Sequence, residues 1–516
     1  MTTGNGDQST TAEVFKFVIP DLNDDYVDTI NRLYQQLVDR TPRNLLRAQL
    51  YDGKFALRQI GEIIPPTYLR TATVLGWSAK AVDTLARRCN LEEFTWADGD
   101  LAKEGGDELI DENLLLTKIN SAMVSSAIHG PAFLINTEGI ASDHEPPALI
   151  HVKSAMQATG DYSTRRNAMD NLLSIIDRDD KGNPSSIAFY EDGLTILSER
   201  DDRGKWSSDI RTHGYGIPVE ILPYRPREDR PMGSSRISRP VISLQQRALK
   251  AVIRMDAHAD VYSFPQMILL GAKGSAFRNK DGTLKPAWQI ALARVFALED
   301  DKDEPDFPRA RADVKRFEAA SPEPHLKMLE QNAMLFSGET SIPVEALGFS
   351  NRANPTSADA YIAAREDLIA ECEGAIDDWR PAIQRSYIRG LAMKNGKGSV
   401  PKEYRTIRGR FRSPIHLSKA AEADAGSKIL GAGPEWLKET SVGLELLGLT
   451  PDQAKRALAE KRRLGTVNVV DALTKLPPAG DVPAGDQPDV IDGEVDQRAL
   501  PAGGRRLAAV DGNRGA

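Results

Sequence analysis

Apolar residues recur along this chain in two rhythms, and the change from one to the other divides it. Near the start, Tyr26, Ile30, Leu33 and Leu37, followed by Leu45 and Leu46, fall at helical spacing. They predict two short helices between Asp25 and Leu50, broken at Thr41-Pro42. Val74, Trp77, Ala81, Val82, Leu85 and Cys89 predict a helix over 73–90. Leu115, Ile119, Ala122, Met123 and Ser126 predict another over 111–129. The period then shortens to strand-like runs at Ala132–Asn136, Ala148–Val152, Leu172–Asp177, Ser186–Tyr190, Thr195–Ser198 and Val219–Leu222. Gly, Asp, Asn and Pro separate them, as in the loop 177–184, so an α/β domain with a small, mostly antiparallel sheet is expected.

Helical spacing returns at 236–262, with Pro240 in the first turn and a face formed by Val241, Leu244, Ala248, Ala251, Met255, Ala259 and Tyr262. Pro265 ends this helix. The less regular stretch 263–322 holds one helical pattern, Ala287–Leu298, and an acidic run, 299–304. A second long helix is expected over 324–341, with Leu326, Leu329, Ala333, Phe336 and Thr340 on one face and Pro343 as its stop. Small residues fill the loop 344–357. Thr356 and Asp359 form a capping-box pattern that opens the longest helix, roughly 357–393, which Pro381 should kink. Three short helices follow at 417–430, 434–447 and 451–464. Residues 1–24 read as a flexible arm and 466–516 as disordered, and there is no internal repeat. The fold class is mixed α+β, mainly helical.

Composition narrows the function classes. Of 516 residues 41% are hydrophobic, enough for real cores, but no run approaches the ~18 apolar residues of a membrane span. The polar start lacks a signal pattern, so synthesis and retention in a cytoplasm are expected. Cys89 and Cys372 stand far apart in helix-like stretches and read as packing residues rather than a disulfide or zinc framework. A net charge of −8 argues against tight phosphate binding by the chain as a whole.

No catalytic motif survives inspection. Gly390 to Gly398 approaches a phosphate-binding loop, but it has five spacers, Gly398 where Ser or Thr should hold magnesium, and a helix before it. It reads as a glycine-rich helix end. The histidines are scattered, with His144 and His151 seven apart, and neither His-x-x-x-His nor Gly-x-Ser-x-Gly occurs. No cofactor or metal is expected, and the acidic run 299–304 reads as a solvated loop. Lys273, Arg278, Lys280 and Lys285, with Arg309, Arg311, Lys315 and Arg316, make the stretch between the two long helices basic. Without interleaved aromatics they suit solubility, a docking face or weak phosphate guidance rather than base stacking.

The ordered set of short strings is more specific than any one of them. Leu33-Tyr-Gln-Gln-Leu37, Pro42-Arg-Asn44, Tyr51-Asp-Gly53 and Gly130-Pro-Ala-Phe-Leu-Ile135 are followed by Gly204-Lys-Trp206, His213-Gly214, Ile217-Pro-Val219 and Gly233-Ser-Ser-Arg-Ile237. Pro265-Gln266 with Gly271, and Asn354-Pro355 with Ser357-Ala-Asp-Ala360, complete the series. Over about 30–465 the chain resembles the portal proteins of tailed actinobacteriophages.

The resemblance implies an N-terminal arm (1–25), an α/β wing (26–235), stem helices at 236–262 and 324–342, and a clip (263–323) between them. A tunnel loop (343–357), a kinked wing helix with its return (358–415), a crown (416–465) and a disordered tail (466–516) follow. It implies a homo-oligomeric ring, commonly of twelve, at one capsid vertex, passing double-stranded DNA during packaging and ejection. Implied partners are the large terminase, which hydrolyses ATP, the head–tail adaptor, the major capsid protein and the scaffolding protein; no membrane is involved. Ser350, Asn351, Arg352 and Asn354 become the DNA-facing loop, although an ordinary turn explains them equally. Lys273, Arg278, Lys280 and Lys285 become the clip's docking face. The alternatives are an enzyme with its site in the 130–222 sheet region, or a non-viral helical scaffold.

Overall fold

The computed structural model describes residues 15–55, 74–262, 267–270, 279, 281–283, 313–316, 321–349, 365–415 and 419–474. The chain divides into two compact units, 1–416 and 417–516.

The first unit contains helices α1 (Asp24–Tyr51), α2 (Trp77–Ala86), α3 (Gly106–Glu112), α4 (Leu115–His129), α5 (Arg239–Tyr262), α6 (Glu323–Thr340) and α7 (Glu366–Lys394). Its strands are β1 (Leu91–Trp96), β2 (Pro131–Glu138), β3 (Ala148–Ser154), β4 (Ala158–Ser163), β5 (Ala168–Arg178) and β6 (Pro184–Glu191). They continue with β7 (Leu194–Arg200), β8 (Trp206–Thr212), β9 (Val219–Pro223), β10 (Met267–Leu270), β11 (Asp313–Arg316) and β12 (Ile407–Phe411). Strands β4 to β8 form an antiparallel meander, and β3-β2-β9 a second antiparallel sheet. Two-stranded ladders join β1 to β12 and β10 to β11.

All six strands expected from alternation are present. Those missed are informative. β4 is rich in small and polar residues, and β8 is a polar edge with Trp206 alone fully covered. β1 and β12 lie some three hundred residues apart, so neither shows a hairpin signal. Their ladder is reinforced by Arg410 to Glu93 (3.3 Å) and Arg412 to Glu92 (2.9 Å).

Several expectations about helices need correction. Residues 25–50 form one helix with Pro42 inside it, not two. A proline removes one helical donor, but contacts hold both sides here. Ile30, Leu33, Tyr34 and Leu37 are buried before it, while Asn44 donates to the Ala155 carbonyl (3.1 Å) and Leu50 is buried after it. The helix over 111–129 is instead two, because Asn113 bonds to Leu109, Ala148 and Ile150 and turns Leu114 to φ 49°. Residues 15–22 are no loose arm. Phe17 is fully buried, rings edge-on to Tyr34 and Trp206, and exchanges backbone bonds with the Asn31 amide (2.8 and 3.0 Å). Residues 1–14, the Ala287–Leu298 helix, the 299–304 run and the Thr356–Asp359 box lie outside the described residues.

The largest core surrounds α7, whose Trp379, Ile383, Tyr387 and Leu391 meet Phe94, Met123, Leu134 and Ile150. Pro381 lies inside this helix, which continues on either side of it. Gly390 lets α7 approach the β3-β2-β9 sheet; a Cβ there would stand 3.0 Å from Ile150. The glycine-rich string 390–398 is thus the last turn of α7 and its exit, with Gly396 at φ 59°. Cys89 and Cys372, distant in sequence, are buried free thiols in this same core.

His129 ends α4, where a helix C-terminus would favour a charged ring. Burial, reinforced by Arg47, wins and lowers its pKa to about 4. The unfolded chain therefore takes up a proton first as pH falls. This site's contribution to stability is full above about pH 6.5 and is lost towards pH 4. Urea midpoints between pH 7 and 4 should fall less steeply in His129→Asn than in the unsubstituted chain.

The second unit is helical: α8 (Lys419–Ala432), α9 (Glu435–Lys438), α10 (Ser441–Leu446) and α11 (Pro451–Thr474). Thr440 caps α10 by accepting from Gly443 N (3.1 Å). Helix α11 runs past the expected boundary at 465, so disorder is not the state of 466–474. Residues 475–516 are outside the described part.

Candidate functional site

Helices α5 and α6 form the element that the sequence singled out. Pro240 sits in the first turn of α5 and Pro324 in that of α6, where a missing N–H removes no helical bond. Ile237, Val241 and Ala248 share one core with Ala333, Phe336 and Ile342. Ala248 and Ala333 are fully buried, and such small side chains let helices approach closely. At the far end His258 meets His325 edge-on, ring centres 5.2 Å apart, which sets the two helices antiparallel. Strands β10 and β11 follow α5 and precede α6, and pair from Met267↔Arg316 to Leu270↔Asp313. The molecule thus carries a helical hairpin continued by a β ladder.

Its base is fixed to the α/β body by buried polar groups. Gln245 on α5 accepts from the Ser78 backbone N–H (2.8 Å) and donates to the Leu75 carbonyl (2.9 Å), holding the start of α2. Arg236, just before α5, is only 4% exposed. Its guanidinium donates to the carbonyls of Ala81 (2.5 Å) and Thr340 (2.7 Å) and to the Tyr224 hydroxyl (2.8 Å). It also pairs with Glu371 of α7, which takes further bonds from Tyr224 (2.6 Å) and Arg225 (2.6 Å). One side chain therefore joins α2, the residue after β9, the end of α6 and α7. Burial opposes its charge, but Tyr224 and Glu371 outweigh that and hold its pKa above the ordinary arginine value. Burial, chiefly, pushes the Tyr224 hydroxyl pKa up.

A second buried ion cluster ties α7 to the β3-β2-β9 sheet. Glu220 on β9 accepts from Arg389 (2.7 Å) and Arg385 (2.8 Å). Asn136 on β2 donates to the Ser386 carbonyl (2.9 Å) and accepts from the Ser386 hydroxyl (3.1 Å). The cavity of about 290 Å3 among the 130–222 strands contains His151, Lys153 and His213. His151 and His213 each bond to a threonine hydroxyl, Thr137 (3.1 Å) and Thr195 (3.2 Å). Among the described residues there is no cluster able to hold a metal, and no helix is long and apolar enough to cross a membrane.

Beyond its packed stripe, α6 leaves apolar side chains uncovered. Leu326, Met328, Met334 and Leu335 are 47%, 44%, 54% and 46% exposed. At about 100° per residue, Met328 and Leu335 fall on one flank of the buried stripe and Leu326 and Met334 on the other. The hairpin thus has apolar groups on two opposed sides.

Ser350, Asn351, Arg352 and Asn354 lie outside the described residues, as do Lys273, Arg278, Lys280 and Lys285. The described part of the expected tunnel loop is a 3-10 turn, Val344–Leu347, closed by Gly348 at φ 91°. Arg236 escaped notice as a site, although it stands inside the Gly233–Ile237 string. Its signal was a lone arginine before a helix, with nothing to say what it would meet.

The family described as "Phage portal protein, SPP1 Gp6-like" matches residues 30–463, from within α1 to within α11. The chain belongs to that family. It is 27% identical over 398 residues to the portal protein of Mycobacterium phage L5, covering 74% of this chain and 78% of that one. It is 26% identical over 396 residues to the portal protein of Mycobacterium phage D29, with the same shares. Among solved structures it is similar to a chain in the neck of a native GTA particle computed with C12 symmetry, at 15% identity and a TM-score of 0.37, covering 73% of this chain and 90% of that chain. A chain from the virion of a native gene transfer agent particle matches at 14% identity and the same score, covering 79% and 99%. Portal-family membership makes this a structural protein of a bacteriophage, and the enzyme and non-viral scaffold readings find no support.

Proposed function

We propose that copies of this chain close into a ring whose stem is the α5–α6 hairpin, giving a channel for double-stranded DNA at one capsid vertex. The observation that carries this is the hairpin with uncovered apolar side chains on both flanks. A ring contact is head-to-tail, so each copy must offer two different faces, one to each neighbour. Twelve copies are expected.

In this reading 26–235 is the wing, 263–323 the clip with β10–β11 at its root, and 416–465 the crown. The loop 343–357 faces DNA through Ser350, Asn351, Arg352 and Asn354, touching phosphates without reading bases. Lys273, Arg278, Lys280 and Lys285 serve docking of the terminase and then the head–tail adaptor. The major capsid and scaffolding proteins meet the ring's outside, and synthesis takes place in the bacterial host's cytoplasm. The ring itself catalyses nothing and holds no cofactor; ATP hydrolysis belongs to the terminase.

Negative-stain images of the purified full chain test this. Rings with a central hole of about the width of a DNA duplex are expected. Material that stays monomeric at the highest attainable concentration would overturn the reading.

A further inference from the structure

A cleft of about 750 Å3 opens between α1, β4 and the 229–239 segment that leads into α5. Arg40, Arg43 and Arg47 project into it from α1, spaced three and four apart and so on one face. Arg230 and Arg239 close the other side. Two acidic residues line the same space, and both are engaged: Asp161 by Arg32 (2.5 Å), Asp229 by Arg227 (3.1 Å) and by Arg230 of the cleft itself (3.7 Å). Arg43 and Arg239 are exposed and have no hydrogen-bond or ion-pair partner among the described residues. The arginines crowd one another: burial, with Arg43 and Arg230 beside it, lowers the pKa of Arg47 to about 10. Two buried polar groups in the lining also lack partners. Asn44 is 2% exposed with Oδ1 unbonded, and His129 is 8% exposed with Nδ1 unbonded. Asn44 Oδ1 is itself an acceptor, so it is the concentration of arginine charge that favours an anionic occupant.

The same unit carries the opposite charge elsewhere. Residues 98–112 hold seven carboxylates and one lysine. Asp98, Asp107 and Asp111 are exposed and have no ion-pair partner among the described residues. This acidic lobe immediately precedes the N-terminus of α4, whereas His129 in the cleft is its last residue. Fifteen residues of helix separate them by roughly 20 Å. The two faces cannot meet within one copy, but a head-to-tail contact brings different faces of successive copies together. A single phosphate would leave most of a cleft of about 750 Å3 empty, so its size suits a larger acidic surface.

We propose that the arginine cleft receives the 98–112 acidic lobe of a second copy of this chain, forming a charge latch between neighbouring subunits. This rests on the ring reading above and adds to it the pair of surfaces that sets the order of contact. Complementary charge of this kind speeds encounter and rejects wrong registers.

The test is a charge swap in the full chain, read by light scattering and negative stain at about 0.15 M salt. The pair Arg43→Glu and Arg239→Glu should raise the concentration needed for assembly by about tenfold or more. Asp107→Lys with Asp111→Lys should do the same. All four together should return assembly towards that of the unsubstituted chain. These sites are exposed, so circular-dichroism melting curves should be unchanged. Normal assembly of either pair, or no recovery in the fourfold variant, overturns the latch while leaving the ring reading intact. Arginine variants that assemble normally but lose binding of inorganic phosphate or duplex DNA make the cleft a phosphate site and also overturn it. If the unsubstituted chain never assembles, the ring reading fails first and the latch with it.

Discussion

Replacing Arg236 with methionine is expected to destabilise the first unit by about 3–5 kcal/mol, the usual cost of removing one partner from a buried ion pair. Methionine fills much of the same volume, so the loss is polar rather than steric. Glu371, 9% exposed in its side chain, would keep only Tyr224 and the largely exposed Arg225. The carbonyls of Ala81 and Thr340 would lose their donor in a dry site. Each buried acceptor left without a donor costs on the order of 1–3 kcal/mol. Chemical unfolding of the purified variant measures this directly. Glu371→Gln should cost less, since the amide oxygen still accepts from Arg236 while the charge is lost. A shift below about 1 kcal/mol in Arg236→Met would show that the joint between α2, α6 and α7 does not rest on this side chain.

Leu335→Glu combined with Met334→Glu should abolish ring assembly and leave the fold intact. The two residues lie on different flanks of α6, so both sides of the hairpin acquire a charge that a neighbour would have to bury. Burying an unpaired carboxylate costs several kcal/mol, and a ring repeats the cost at every contact. In the separate copy both positions are about half exposed, and a helix accepts glutamate readily. The folded copy should therefore change by no more than about 0.5 kcal/mol. Sedimentation should show monomer alone with an unaltered melting curve. Rings that persist would place the subunit contact elsewhere than along these flanks.

Much of the local structure was written in the spacing of residues. The six alternating runs became strands, and the stripes of 236–262 and 324–341 became the two helices of a hairpin. Prolines 240 and 324 marked helix starts because those positions need no donor. Other features escaped because their cause was distant. Phe15–Leu22 reads with the loose arm although five of its eight residues are apolar, because their partners, Trp206 and Ile196, come from the distant meander. Pro42 looked like a break until bonds on both sides of it held α1 together. β1 and β12 exist only because each supplies the other's partner.

The candidate site divides in the same way. The ordered strings pointed to the portal family, and the 30–463 match carries that identification. The basic and polar residues named for docking and for DNA contact lie outside the described residues, so their roles stand as proposals. What the sequence determined alone was periodicity, and hence element type, and the family-like order of its short strings. Only the tertiary structure decided that Arg236 meets Glu371 across 135 residues, that five arginines share one cleft, and that α6 leaves both flanks bare. Periodicity is a property of neighbours along the chain, whereas charge pairing and burial depend on which surfaces the folded backbone brings face to face.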